Sequence, residues 1–224
     1  MKKRILLHLF IAMSAIVFGQ GNRIQDQNLF DVKSGMIEYK IDGKTKGTKI
    51  LWWDDFGRLQ YEQTTTSTKL MGITTKDDKL VVRTKEWLYQ INLLEKTGTK
   101  MKIDKMMEIP ETIDASMNDQ QLKQLGEDIM EGFDAKELST EVILGRSCQV
   151  MEVGKLNSKH WSYKKIPLKM EINMGGFLGI SIEEAIKFEE NISIPASQFT
   201  VPNGIEIIDM SDFMNFGEIN SNGQ

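Results

Sequence analysis

Cys148 is the only cysteine of this 224-residue chain, and His160 is one of its two histidines. Together they are the residues best suited to nucleophilic chemistry. A thiol–imidazole dyad needs a third group to orient the base and donors to hold an oxyanion. The surrounding sequence offers no such set, so the expected reading is a buried thiol in a strand and a histidine near a turn. One cysteine makes no internal disulfide. One cysteine and one histidine do not supply the usual ligands of a zinc or non-haem iron site. The acid pairs Asp54/Asp55, Glu127/Asp128, Glu183/Glu184 and Glu189/Glu190 are the remaining candidates for proton transfer. Neighbouring residues on a strand point to opposite faces, so such pairs do not converge on one proton. Gly175, Gly176 and Gly179 lack the spacing of a phosphate-binding loop. Asp55-Phe56-Gly57 matches a kinase tripeptide, but the other kinase elements are absent, and it is expected to be a turn. No catalytic residue, cofactor or metal is therefore expected.

The N-terminus indicates a compartment. Lys2, Lys3 and Arg4 precede an apolar run from Ile5 to Phe18, and Gly19 supplies a small residue for cleavage. The run is about 14 residues, shorter than the roughly 20 a spanning helix needs, so residues 1–19 are expected to be a cleaved secretory signal. Its loss removes three bases and no acids from a chain of formal charge −4. The mature chain is then more acidic still and has no general attraction for nucleic acid or anionic membrane. Localisation is expected to be periplasmic or extracellular.

The stretch 141–207 alternates apolar and polar residues, with Gly or Pro ending each run, as successive antiparallel strands do. The same pattern begins at residues 34–41, where Asp42-Gly43 signals a hairpin. It continues through 46–54, where Trp52 and Trp53 send one indole to each face. Strands are expected at 58–66, 70–75, 79–84, 86–94 and 99–103, with turns at Asp77-Asp78 and Thr97-Gly98. Strands at 135–144 and 146–153 pair around Gly145, followed by 159–164 and 168–174. Residues 180–194 carry Ile180, Ile182, Ile186, Phe188, Ile192 and Ile194 at one parity, a strand pattern. No repeat or linker divides residues 20–224, which are expected to form one domain with a disordered tail at 217–224.

One helix interrupts the strands. Over residues 118–133, Leu122, Leu125, Ile129, Met130 and Phe133 share one face. Asn118 and Gln121 have the spacing of a capping box. Gly126 costs such a helix about 1 kcal/mol relative to Ala, which implies that packing holds it. Methionines crowd just before it, including Met106 and Met107. Flexible thioethers suit a surface that accepts varied apolar shapes. The expected fold is therefore α+β, mainly β: one antiparallel sheet with helix 118–133 against its concave face.

Several stretches carry a resemblance. They are Ser34–Tyr39, Trp53–Gly57, Thr140–Gly145 with Cys148, Trp161 with Ile166–Lys169, Asn191–Pro195 and Phe199–Gly204. Through them the chain resembles a secreted bacterial family of unassigned function, whose sheet is similar to that of the Lol-type lipoprotein carriers and receptors. The resemblance implies a strongly curved open half-barrel whose concavity, closed by helices, holds acyl chains. It implies a binding protein for a lipid or lipoprotein acyl chain, with a non-catalytic envelope interaction protein as the alternative. Met106, Met107, Leu122, Leu125, Ile129 and Met130 would form an adaptable lid, and Trp52 and Trp161 complete the expected ligand-binding set. The expected partners are a lipid or acyl chain, or an envelope protein.

Overall fold

The computed structural model describes residues 28–106 and 118–211. The expected signal 1–19, the tail 217–224, Met107 and the side chains of Met106 and Leu122 lie outside that description.

Twelve strands among these residues build one sheet. They are β1 (Gly35–Asp42), β2 (Thr45–Asp54), β3 (Leu59–Leu70), β4 (Ile73–Arg83), β5 (Trp87–Asn92), β6 (Thr97–Lys102), β7 (Ala135–Ile143), β8 (Arg146–Val153), β9 (Ser158–Tyr163), β10 (Ile166–Asn173), β11 (Ile180–Glu190) and β12 (Glu206–Asp209). Helices α1 (Ile103–Met106) and α2 (Asp119–Gly132) lie between β6 and β7. The order across the sheet is β12-β6-β5-β4-β3-β2-β1-β11-β10-β9-β8-β7. Every pairing is antiparallel except β12 on β6, which is parallel. The sheet is thus mixed at one edge, where the chain arrives from mid-sheet β11 rather than by a hairpin.

The expected turns at Asp77-Asp78 and Thr97-Gly98 are corrected. Asp78 lies inside β4, where its carboxylate accepts from Gln63 Nε2 at 3.0 Å and Thr65 Oγ1 at 3.2 Å on β3. The hairpin turns instead at Met71-Gly72, both at positive φ (47° and 81°), as a two-residue loop between twisted strands requires. Thr97 and Gly98 start β6. The preceding turn is built on Asn92, whose side chain accepts from the backbone N–H of Leu94 and Glu95. Strand β11 also stops short of the expected 194, because Asn191 adopts φ 58°.

The sheet is open and curved. Arg146, which opens β8, stands 4.2 Å from the ring centre of Phe188 on β11 and 3.6 Å from Glu190. On a flat sheet those strands would be about 14 Å apart. Tyr39 on β1 likewise donates its hydroxyl to the Pro167 carbonyl on β10 at 2.7 Å. Three register shifts lie in this half of the sheet, one where β11 passes Glu38/Tyr39, one on β10 between Pro167 and Lys169, and one on β7 between Leu138 and Glu141. An extra residue on one strand sharpens twist and bends it.

The bend gathers one core from the half of the sheet that runs from β2 through β1 to β7. It includes Ile37, Tyr39, Leu51, Trp53, Cys148, Val150, Trp161, Ile166, Leu168 and Phe188. The lead-in caps it. Phe30 meets Trp53 edge-on at 5.5 Å, and Trp53 Nε1 donates to the Val32 carbonyl at 3.1 Å. The Asp55–Gly57 turn receives this segment, since the Phe56 carbonyl accepts from Leu29 and Phe30. Gly57 is required there: its φ is 85°, and a Cβ would lie 2.8 Å from the Phe30 ring.

A second core forms on the other face of β3–β5. Leu80, Val82 and Ile91 are buried, with Tyr61, Tyr89, Val201, Ile205 and Ile207 packed against them. The chain after β11 therefore lies across this face on its way to β12.

Helix α2 has the expected cap: Asn118 Oδ1 accepts from Gln121 N–H at 3.0 Å, and Gln121 Oε1 accepts from Asn118 N–H at 2.9 Å. Leu125, Ile129, Met130 and Phe133 are half-buried while most of its other described residues are exposed. Strands β6 and β7 stand ten strand positions apart in the sheet, about 48 Å along it at ~4.8 Å per strand. The segment 103–134 joins these two sides of the open sheet.

Candidate functional site

The structure brings together some of the sequence-derived site residues and separates others. Leu125, Ile129 and Met130 form one half-buried stripe on α2, and none of them belongs to either core. Met106 ends α1. Trp161 is 2% exposed and sits within the first core. Its Nε1 donates to Glu141 Oε2 at 2.9 Å, and the ammonium groups of Lys159 and Lys169 each stand 4.7 Å from its ring centre. Trp52 is half-buried on the other face, paired with Met36 and Tyr61, while its neighbour Trp53 fills the first core. The two indoles expected to share a ligand are therefore on different surfaces.

A groove of about 460 Å³ opens on the second face, within the size range of ligand pockets. Val82 and Tyr89 form its floor; Phe199, Val201 and Ile207 wall it from the crossing segment; Thr84, Thr200 and Lys100 add polar groups. Lys100 is held at 3.2 Å from Asp209 and 4.2 Å from the Trp87 ring centre. The Asp209 carboxyl is held below its ordinary range by the N–H and hydroxyl of Ser211 and by Lys100. Sequence reasoning missed this groove. The available signal was Phe199, Val201, Ile205 and Ile207 at one parity across a segment broken by Pro202.

The charged centre of the sheet is self-contained. Lys49 on β2 contacts Glu183 on β11 directly, lies 3.8 Å from Glu62 on β3, and stands 4.3 Å from the Tyr39 ring centre. Burial opposes the lysine's charge, but Glu62 and Glu183 outweigh it and raise its pKa above the ordinary 10.5. Tyr39 is pushed well above 10.0 by burial and then by the same two carboxylates. Neither group is suited to accept a proton near neutrality.

The remaining chemical candidates are engaged structurally. The Cys148 thiol donates to the Arg146 carbonyl at 3.5 Å, and burial raises its pKa, which suppresses the thiolate. His160 Nε2 is hydrogen-bonded to Ser158 Oγ at 2.9 Å. The acid pairs diverge: Glu183 turns to Lys49 and Glu184 to Lys169, while Glu190 turns to Arg146 and Lys164 and Glu189 to Lys187. Among the described residues, no group of three or more His, Cys, Asp or Glu is placed to hold a metal ion.

No protein-family model matches this sequence, and no curated protein matches it. Among solved structures, the chain is similar to an uncharacterized conserved protein from Thermus thermophilus. The TM-score is 0.48 at 6% identity, over 91% of this chain and 99% of that one. It is similar to MucB, with a TM-score of 0.45 at 10% identity over 82% of this chain and 62% of that one. It is also similar to a putative outer membrane lipoprotein-sorting protein domain from Vibrio parahaemolyticus, with a TM-score of 0.30 at 12% identity over 86% and 95%. Among the described residues, no helix is long and apolar enough to cross a membrane.

Proposed function

We propose that this protein is a non-catalytic binding protein of the periplasm or extracellular space that holds a lipid or lipoprotein acyl chain between the open sheet and the helical segment. The carrying observation is the α2 stripe. Leu125, Ile129 and Met130 are apolar, half-buried and part of neither core. They sit in the segment that joins the two sides of the open sheet. Apolar side chains committed to no core are suited to a ligand, and the flexible Met130 thioether lets this stripe adapt to varied apolar shapes. Gly126 weakens the helix by about 1 kcal/mol relative to Ala, and nothing lies within 4 Å of its missing Cβ. The resemblance to Lol-type carriers points to the same ligand class. A fluorescent fatty-acyl probe should bind the delipidated protein, and Leu125→Glu or Ile129→Glu should abolish binding, since the new carboxylate must be desolvated. Far-ultraviolet dichroism of each variant separates lost binding from lost folding.

One observation favours an envelope protein as a second partner. Met71, Ile73, Met174, Phe177 and Ile180 are exposed, Met71 by 95%. They lie in the β3–β4 turn and around the β10–β11 loop, at the same end of the sheet by strand register. Exposed apolar groups gathered at one rim mark a contact surface. A photocrosslinker at Met71 or Phe177 should trap a partner that one at Val142, at the opposite end, does not.

A further inference from the structure

Arg83, the last residue of β4, is 9% exposed; its Nε is buried without a hydrogen-bond partner, and no ion pair to its guanidinium occurs among the described residues. Its position explains what it faces. Backbone pairing places Gly35, Trp53, Gln60, Arg83, Leu88 and Met101 in one row across six strands. Directly paired residues share a face of the sheet. Arg83 is thus on the face of Trp53 and the first core, opposite Val82 and the groove of the second face. Its cross-strand neighbours, Gln60 and Leu88, carry no charge to meet it.

Three acids of this part of the sheet are paired with other cations. Glu62 lies 3.8 Å from Lys49. Asp55 is paired with Arg58, and with Lys85 at 3.3 Å. Glu190, farther along the row on β11, is held by Arg146 and Lys164. Arg146 provides the contrast: its Nε is also unpartnered, but the same guanidinium donates to the Leu144 carbonyl at 2.9 Å and lies 3.6 Å from Glu190. Arg83 has no such compensation, and burial alone lowers its pKa. A buried charge without a partner is expensive to keep. A guanidinium presents a planar fork that matches the oxygens of a carboxylate or phosphate.

We infer that Arg83 anchors the anionic head of the bound molecule, a carboxylate or phosphate carried on an alkyl chain. This rests on the acyl-binding reading and adds to it a polarity and a head group. The apolar neighbours on the same face, Leu88 and Met101, accompany the chain, and Arg83 neutralises the charge of the head group at this largely buried position.

The test is competition against a fluorescent fatty-acyl probe on the delipidated full chain, using dodecanoate, dodecyl phosphate and dodecanol. In the wild type, one or both anions should compete at least tenfold better than the alcohol, and which anion leads identifies the head group. Arg83→Met should remove that advantage and leave dodecanol unchanged. The ligand-free Arg83→Met protein should also melt at a temperature equal to or above the wild type, since a desolvated charge is replaced by an apolar side chain of similar length. Equal competition by anions and alcohol in the wild type, or an advantage that survives Arg83→Met, overturns the anchor while leaving acyl binding intact. A folded wild type that binds no probe overturns both. A large fall in the melting temperature of the ligand-free variant would mean that Arg83 is a structural residue and also contradicts the proposal.

Discussion

Lys49 and Glu183 are in direct contact across β1, although 134 residues separate them in the chain. The contact links the β1–β2 hairpin to the strand that returns to it last. It leaves the lysine ammonium between two carboxylates and an aromatic face. Replacing Lys49 with Met strands Glu62 and Glu183 together, and removing one partner of a buried pair costs about 3–5 kcal/mol. These side chains keep 12–24% exposure, so a loss toward the lower part of that range is expected. Urea unfolding at pH 7 measures it. A loss no greater than that of Lys40→Met, an exposed control, would contradict the placement.

The same centre sets an alkaline limit. Lys49 and Tyr39 both have pKa values raised in the folded state above 10.5 and 10.0. A group with a raised folded pKa binds its proton more tightly when folded. Its contribution is complete below the unfolded value and is lost as pH rises through the folded one. Stability should therefore show no loss from this centre up to about pH 10 and fall above it. In Lys49→Met the lysine's part of that fall should disappear. Denaturant midpoints between pH 8 and 11.5 give the comparison.

Trp161 tests the first core. Truncating a buried Trp to Ala costs about 3–5 kcal/mol, and here the Glu141 carboxylate also loses its indole donor. Trp161→Ala should unfold at a far lower urea concentration than wild type, whereas Trp52→Ala, on the other face and half-buried, should shift the midpoint less. Equal shifts would show that the two indoles are not separated as described.

Gly57 tests the cap on that core. Gly57→Ala forces a Cβ toward the Phe30 ring at a φ of 85°, and strain of this kind costs about 1–3 kcal/mol. Tryptophan fluorescence should report altered packing at Trp53, which Phe30 touches. An unchanged spectrum and midpoint would contradict the cap.

The strands and the helix were legible because their signals are local. Alternation marks Met36 to Ile41, and the Asn118/Gln121 box with Leu125, Ile129 and Met130 marks α2. The β3–β4 turn was not legible, because Leu70-Met71-Gly72-Ile73 lacks the usual Asn-Gly or Asp-Gly signal. Asp77-Asp78 imitates a turn, and only the cross-strand partners Gln63 and Thr65 show why an acid is satisfied mid-strand. The site was harder. Alternation shows that Val82 and Arg83 face opposite ways, but not that both faces are covered at that point. Coverage depends on chain crossings, such as the one that brings Val201 and Ile205 over the second face. Those are set by contacts between residues far apart in sequence.

The central claim is that the uncommitted apolar stripe of α2 serves a ligand rather than the fold. Binding of a fluorescent fatty-acyl probe to the delipidated protein, followed by titration of Leu125→Glu and Ile129→Glu, tests it most directly. Saturable binding in the low-micromolar range to the wild type, lost in both variants while their far-ultraviolet dichroism is unchanged, is the predicted result. A folded wild-type protein that binds no probe at tens of micromolar and carries no lipid on purification would contradict it.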